Sequence, residues 1–365
     1  MESGMNMKKT KAFTIIELMV SIFITITVIA SFYKLYEASL KTERTASIKV
    51  SVNLLGEQIL DTISDSMRLI GLNGEVGDLQ TEDTDFGILR GTPAGGTGKE
   101  HVSFSYISPY GSPITKLQEN ASGTTFPACT FTLFNSAAFH KNISKLYVHN
   151  QQGVYVTKKV GAPTYSGNNV KVTAESFYNP YDDGDKWKWM EADKDKTCAQ
   201  RFPAGTLVTG EDFFYSLTYS YPKTLKLTYR ALDASGTPTG ATNELINFEY
   251  DSKANQTFQI PFFVLEFLKE SIDGDAESRT WVKTFSATER NDIIAVRFGF
   301  VVLSLKDRVT AKNAGAAPSM SNKYCVFNDN TNNCYELTNP KYTASVFNRV
   351  VYLANFRLLK DQVKK

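Results

Sequence analysis

Two kinds of apolar patterning meet near the amino end of the chain. From Phe13 to Tyr33 the residues are almost all apolar, and Glu17 is the only charge. At ~1.5 Å per residue this run makes about 31 Å of helix, enough to cross a bilayer core. Further on, Ile48, Val52, Leu55, Ile59, Ile63, Met67 and Ile70 recur at steps of three and four, with Lys49, Glu57, Asp61, Asp65 and Arg68 between them. That is a one-sided helical stripe. No Pro or Gly interrupts Phe13–Leu55; Gly56 is the one soft spot, and Gly71 and Gly74 supply a stop. The pattern predicts one helix over Phe13–Ile70, ~87 Å long. Its first half needs lipid or other helices around it, and its second half needs one packed domain.

The pattern then changes. Residues 75–100 are rich in Gly, Asp and Thr and read as a loop. Gly91-Thr-Pro-Ala-Gly-Gly-Thr-Gly98 is no phosphate loop, because no Gly-Lys-Ser/Thr closes it. From His101 onward the signals are those of strands. His101–Ile107 alternates, and Ile143–His149 and Val154–Val160 flank a hairpin turn at Asn150-Gln-Gln-Gly153. Leu225–Leu232, Leu245–Tyr250, Phe262–Lys269, Ile293–Leu305 and Val350–Leu359 continue the series. The expected fold is α+β: a long helix, transmembrane then amphipathic, packed on a mostly antiparallel β-sheet head with a β-rich insertion. The expected segments are a leader over 1–12, a transmembrane half over 13–33 and an amphipathic half over 34–74. A β-rich head with the insertion follows over 75–245, then a carboxyl-terminal sheet over 246–365.

Charge adds an orientation. The chain carries a net +2. Lys8, Lys9 and Lys11 against Glu2 account for all of it, so the rest is neutral. A neutral body excludes a whole-domain electrostatic footprint for nucleic acid. Lysines just ahead of the apolar run place the amino end in the cytoplasm and the bulk outside the inner membrane. In an exported domain four cysteines suggest two disulfides, although three connectivities exist. Cys325–Cys334 is favoured, because the residues between them form a polar loop, and Cys129–Cys198 follows by elimination. Buried reduced thiols are the alternative.

The placement of Glu17 is the strongest functional signal. An ionised carboxylate one turn inside an apolar helix costs at least ~2.5 kcal/mol unless it is paired. A cut between Ala12 and Phe13 would create an α-amine at the end of the same helix. Glu17 of one copy could then neutralise the amine of a neighbour. Ala12-Phe13-Thr14-Ile15-Ile16-Glu17-Leu18 resembles the prepilin processing motif of type IV pilins and type II secretion pseudopilins. The family prefers Gly before the cut; here the residue is Ala12. The resemblance implies that prepilin peptidase removes residues 1–12 and methylates the amine of Phe13, and that Glu17 serves subunit assembly.

Two further stretches extend the resemblance. Met67-Arg68-Leu-Ile-Gly71-Leu is loosely similar to the helix end of large minor pilins of the PilW type, although a capped helix with Arg68 at its negative end explains it equally. Asp273-Gly-Asp275, Trp281, Asn291-Asp-Ile-Ile-Ala-Val-Arg297 and Asn348-Arg349-Val-Val-Tyr352-Leu-Ala-Asn-Phe-Arg357 are similar to the end of the same group. Pseudopilin J of type II secretion is the near neighbour. Residues 100–245 resemble no family.

The resemblance implies a non-enzymatic minor pilin, single-pass in the inner membrane with its head in the periplasm, that initiates pilus assembly at the fibre tip. Its implied partners are prepilin peptidase, other minor pilins, the major pilin and the assembly platform. Competing readings are a pseudopilin, a tip adhesin using residues 100–245, a plain anchor, an ordinary signal peptide cut after Val28-Ile-Ala30, and a buried helix of a soluble core.

Other chemistry is thin. Asp182, Asp183 and Asp185 around Gly184, and Asp273-Gly-Asp275-Ala-Glu277, offer oxygen ligands to Ca²⁺, but neither has the twelve-residue spacing of an EF-hand, and Asp-Gly clusters are first of all turns. No cofactor is expected. Trp187 and Trp189 alternate and would share one face of a strand. His101, His140 and His149 lie in no metal or catalytic motif.

Overall fold

The helix α1 (Ile15–Arg68) runs unbroken for 54 residues, ~81 Å at 1.5 Å per residue. Thr14 caps its start, and its last turn ends at Leu69, just before Gly71 with φ 78°. That left-handed conformation suits Gly and turns the chain away from the helix. The stripe residues Ile48, Val52, Ile59, Ile63, Met67 and Ile70 are buried, and Leu55 packs against the same cluster. A computed structural model describes residues 14–73, 89–94, 101–112, 114–123, 128–134, 146–150, 153–161, 163–178, 197–221, 224–232, 237–250, 257–273, 276–305, 323–327, 333–337 and 342–355.

Three larger sheets and one two-stranded hairpin follow, and every pairing among the described strands is antiparallel. The first contains β1 (Leu89–Ala94), β2 (Val102–Ser108), β10 (Phe213–Ser220), β11 (Thr224–Leu232) and β12 (Pro238–Glu249), in that spatial order. The second contains β13 (Phe258–Asp273), β14 (Ala276–Val282), β15 (Ile293–Ser304) and β18 (Thr343–Tyr352), in the order β14-β13-β15-β18. These two sheets and α1 share one core, in which Phe104, Tyr106, Tyr215, Tyr219, Phe263, Phe267 and Phe298 are among the large fully buried rings. A short hairpin, β16 (Lys323–Cys325) and β17 (Cys334–Glu336), covers the other face of the second sheet, with Val326 and Phe327 packed on Phe262, Val264 and Val301. Coverage on both faces explains why all twelve residues of β15 are buried and why its sequence is a continuous apolar run rather than an alternation.

The third sheet is β3 (Ile114–Lys116), β9 (Leu207–Thr209), β5 (Tyr147–Asn150), β6 (Gly153–Val160), β8 (Asn169–Tyr178) and β4 (Cys129–Phe134), with β7 (Thr164–Ser166) added on β8. It has its own core, including Phe131, Leu133, Val148, Val172, Phe202 and Val208. A short helix α2 (Cys198–Arg201) closes it, tied to β4 by the Cys129–Cys198 disulfide. This sheet is spliced between neighbours: Ser108 at the end of β2 stands opposite Phe213 at the start of β10.

The fold is α+β, a long amino-terminal helix against antiparallel sheets. Several expected boundaries move. The 75–100 stretch is not all loop, because Leu89 is buried in the core and β1 pairs with β2. Gly91, Thr92 and Pro93 fall where the register of that edge strand breaks, a position that tolerates Pro. β12 begins at Pro238, seven residues before the expected strand. The last strand is Thr343–Tyr352, not Val350–Leu359. Its position is fixed by ten paired residues on β15, whereas the apolar run Val350-Val-Tyr-Leu is split, with Val350 and Tyr352 exposed and Val351 and Leu353 buried. The separately folded insertion spans 114–209 and is narrower than 100–245, since β2, β10, β11 and β12 build the main core.

Candidate functional site

The amino end of α1 combines a bare apolar surface with one carboxylate. Every residue from Thr14 to Leu40 is exposed. Ile15, Phe23 and Tyr33 have 78%, 73% and 69% of their surface free, against Ile63 and Met67 at 0% further along the same helix. This is the one helix among the described residues long and apolar enough to cross a membrane. Such a surface has no stable place in water, so lipid or the helices of other chains must cover it.

Glu17 sits at the third helical position. Its Oε2 accepts the Thr14 backbone N–H at 3.0 Å and the Thr14 hydroxyl at 3.0 Å, while the Thr14 hydroxyl oxygen accepts the Glu17 N–H at 3.3 Å. This capping box satisfies donors that a helix start otherwise leaves open. The carboxylate therefore already has an intrachain task. Its Oε1 has no hydrogen bond among the described residues and remains available to a cation. The box is written in the sequence as Thr-x-x-Glu, a signal that is missed when Glu17 is read only as a misplaced charge. Ala12 and Phe13, the expected cleavage pair, lie outside the described residues.

The other end of α1 is locked to the last strand. β18 follows the helix in the same direction: Ser345 Oγ donates to Asn53 Oδ1 at 3.1 Å, and Phe347 lies over Gly56. Arg349 Nη1 then reaches Asp61 at 2.6 Å and Ser64 at 2.9 Å, and Asn355 Nδ2 donates to the Arg68 carbonyl at 3.2 Å. On β15, Arg297 is buried against Glu266 of β13, with Nε 2.6 Å from Oε2. Asn333 Nδ2 takes the other carboxylate oxygen at 3.0 Å, and the guanidinium lies between the rings of Trp281 and Phe327, 4.3 Å from each. Two of the arginines in the minor-pilin resemblance, Arg297 and Arg349, thus hold the head together, while Arg357 lies outside the described residues. Motifs alone do not single out Glu266, although a lone acid inside Phe262-Phe-Val-Leu-Glu-Phe-Leu268 marks a residue that needs a buried partner.

The remaining candidates separate. Asp182, Asp183, Asp185, Trp187, Trp189 and His140 lie outside the described residues. Asp273 and Glu277 belong to β13 and β14, which pair there. No group of His, Cys, Asp or Glu able to hold a metal occurs among the described residues. His101 is exposed beside Ser220, and His149 lies between Asn73 and Thr209. Each ring thus meets one hydroxyl, but no described carboxylate is hydrogen-bonded to either imidazole as the third member a triad requires. Cys325–Cys334 closes the β16–β17 hairpin, and Cys129–Cys198 closes the insertion.

No family model matches the chain. No curated protein matches it either. Among solved structures it is similar to "Type IV-like pilin TTHA1219 from Thermus thermophilus", at 11% identity and a TM-score of 0.24, over 60% of this chain and 87% of that one. A superposition that loose says nothing of what this chain does.

Proposed function

We propose that this protein is a minor pilin of the PilW type. It is cut between Ala12 and Phe13, methylated at the new amine, held in the inner membrane by Phe13–Tyr33, and joined there to other minor pilins to initiate a type IV pilus. The observation that carries this reading is α1: bare and apolar from Ile15 to Tyr33 apart from one acid at its third position, then buried on one side by a β head. Glu17 matches register with the next subunit by offering its free oxygen to that subunit's terminal amine. The size of the head favours a cap or initiation position over repetition along a shaft, because a shaft requires every head to fit beside its neighbours.

Mass spectrometry of the mature chain tests the first step: a start at methylated Phe13 supports the reading, and a start at Ser31 reduces it to a signal peptide. Glu17→Val tests the second, with loss of fibres expected while the protein still reaches the membrane. Loss of protein secretion with pili intact would move the chain to the pseudopilins.

A second reading, a tip adhesin, is favoured by the insertion's own core and disulfide. Loss of attachment with pili intact, on removing the insertion alone, is its signature.

A further inference from the structure

The two disulfides have different surroundings. Cys129 and Cys198 are 0% exposed and belong to the insertion's core. Cys325 and Cys334 face each other across β16 and β17, and both are partly exposed. A disulfide is opened by a thiolate that reaches one of its sulfurs, so access decides which of the two bonds exchanges.

The hairpin closed by Cys325–Cys334 has little else to keep its shape. Its ladder has three residue pairs, Lys323–Glu336, Tyr324–Tyr335 and Cys325–Cys334, extended by the Val326 N–H, which donates to the Asn333 carbonyl at 2.8 Å. A two-stranded ladder that short is marginal in water. The hairpin grips the second sheet through Asn348 Nδ2, which donates to the Val326 carbonyl at 2.7 Å, through Phe327 on Arg297, and through Asn333 Nδ2 on Glu266. That grip has a flaw. Asn333 Oδ1 is buried with no hydrogen-bond partner among the described residues, and an acceptor left in that state disfavours the closed seat.

We propose that Cys325–Cys334 is a redox-sensitive clasp: a dithiol reductant opens it while Cys129–Cys198 stays closed, and the opened hairpin loosens its cover over Arg297 and Glu266. A thiolate of the reductant attacks one of the two protein sulfurs, the S–S bond breaks, and the other sulfur leaves as a thiolate. The reductant's second thiol then resolves the mixed disulfide. The chain gains two electrons and two protons, and the dithiol is oxidised to its own disulfide. With a separation of 9 between the cysteines, loss of the cross-link should favour disordering of the hairpin about a hundredfold by loop-closure entropy. Trp281 stays on one side of Arg297, and the side held by Phe327 opens to water.

The test treats the full chain in detergent micelles with dithiothreitol, blocks the new thiols with N-ethylmaleimide, and locates the label by peptide mass spectrometry. Cys325 and Cys334 should be labelled together, at least about tenfold faster than Cys129 and Cys198, which wait for the insertion's core to open. Amide hydrogen exchange on the singly reduced chain then reads the hairpin itself, because the bonds at 324–326 and 334–336 lie within its own ladder. Protection there should fall about a hundredfold, while 129–134 in the third sheet keeps its protection. The double variant Cys325→Ser/Cys334→Ser should exchange like the reduced chain and ignore the reductant. Equal reduction rates for the two disulfides overturn the clasp. So does selective reduction with hairpin protection unchanged, which makes the bond a silent one. A further loss of hairpin protection when the double variant meets dithiothreitol assigns the effect to Cys129–Cys198 and overturns it as well. The wild-type labelling and exchange decide without any variant.

Discussion

Gly56 and Phe347 are fitted to each other. A Cβ placed on Gly56 would overlap Cζ of Phe347. The ring cannot easily retreat, since it is buried and stacked on Phe300 with centroids 5.5 Å apart. Gly56 is therefore no soft spot in the helix. It is where α1 comes close enough to β18 to seal the main core. Two effects compete in Gly56→Ala: a helix-propensity gain of about 1 kcal/mol and an overpacking cost of about 1–3 kcal/mol. The clash with a fixed ring should win. The variant is expected to melt at a lower temperature, and Phe347→Leu should turn the same substitution neutral or stabilising. A more stable Gly56→Ala in the wild-type background would refute this packing account.

The two arginine contacts should differ in weight. Arg349 and Asp61 are both partly exposed, at 27% and 58% of their side-chain surface, and a pair of that kind is worth about 0–1 kcal/mol. Arg297 and Glu266 are buried, and removing one member leaves an unpaired charge, at about 3–5 kcal/mol. Arg297→Met and Glu266→Leu should each destabilise strongly in urea, whereas the double variant should recover much of the loss. Equal costs for Arg349→Met and Arg297→Met would contradict the assignment.

The disulfides should act on different parts. By loop-closure entropy, Cys129–Cys198, with a separation of 69, contributes about 4 kcal/mol, and Cys325–Cys334, with a separation of 9, about 3 kcal/mol. The first lies in the insertion's core and the second closes the hairpin that carries Phe327 onto Arg297 and Asn333 onto Glu266. Replacing Cys129 and Cys198 by Ser should loosen exchange in the third sheet and spare the second. Replacing Cys325 and Cys334 should do the reverse.

What could be read from the chain depended on how local the cause was. The helix was legible because its stripe repeats for six steps and neither Pro nor Gly intervenes before Gly56. Central strands such as β15 announced themselves as apolar runs. Edge strands did not: β1 carries Gly91 and Pro93, and β12 is exposed along most of its length, so pairing with a distant strand decides each of them. The partnerships Glu266–Arg297 and Asn73–His149 join residues 31 and 76 positions apart. Composition could mark each member as misplaced without naming its partner. Glu17 stands between these cases: its capping partner lies three residues away, while the assembly partner inferred for it belongs to another chain.

The splice between β2 and β10 gives the sharpest separation of structure from function. Because Ser108 and Phe213 are neighbours, replacing residues 109–212 by a two-residue Asn-Gly turn should leave a hairpin in the same sheet. Deleting 100–245 instead would strip Phe104, Tyr106, Tyr215, Leu217, Leu225 and Leu227 from the main core and unfold the head for trivial reasons. The narrower deletion has identifiable local costs. Asn73 loses its partners Gly210 and Thr209, and the Tyr215 hydroxyl loses the Tyr110 carbonyl it bonds. An unsatisfied buried hydroxyl costs about 1–3 kcal/mol, so Tyr215→Phe in the same background should recover part of the stability. The expected product is a folded, membrane-held protein with α1 and two sheets intact, read by circular dichroism and a cooperative melt. If it folds and still supports fibres, the insertion is dispensable for assembly, and any attachment lost with it belongs to the third sheet. If it folds and fibres vanish, the third sheet belongs to the assembly interface, and the adhesin reading loses its basis.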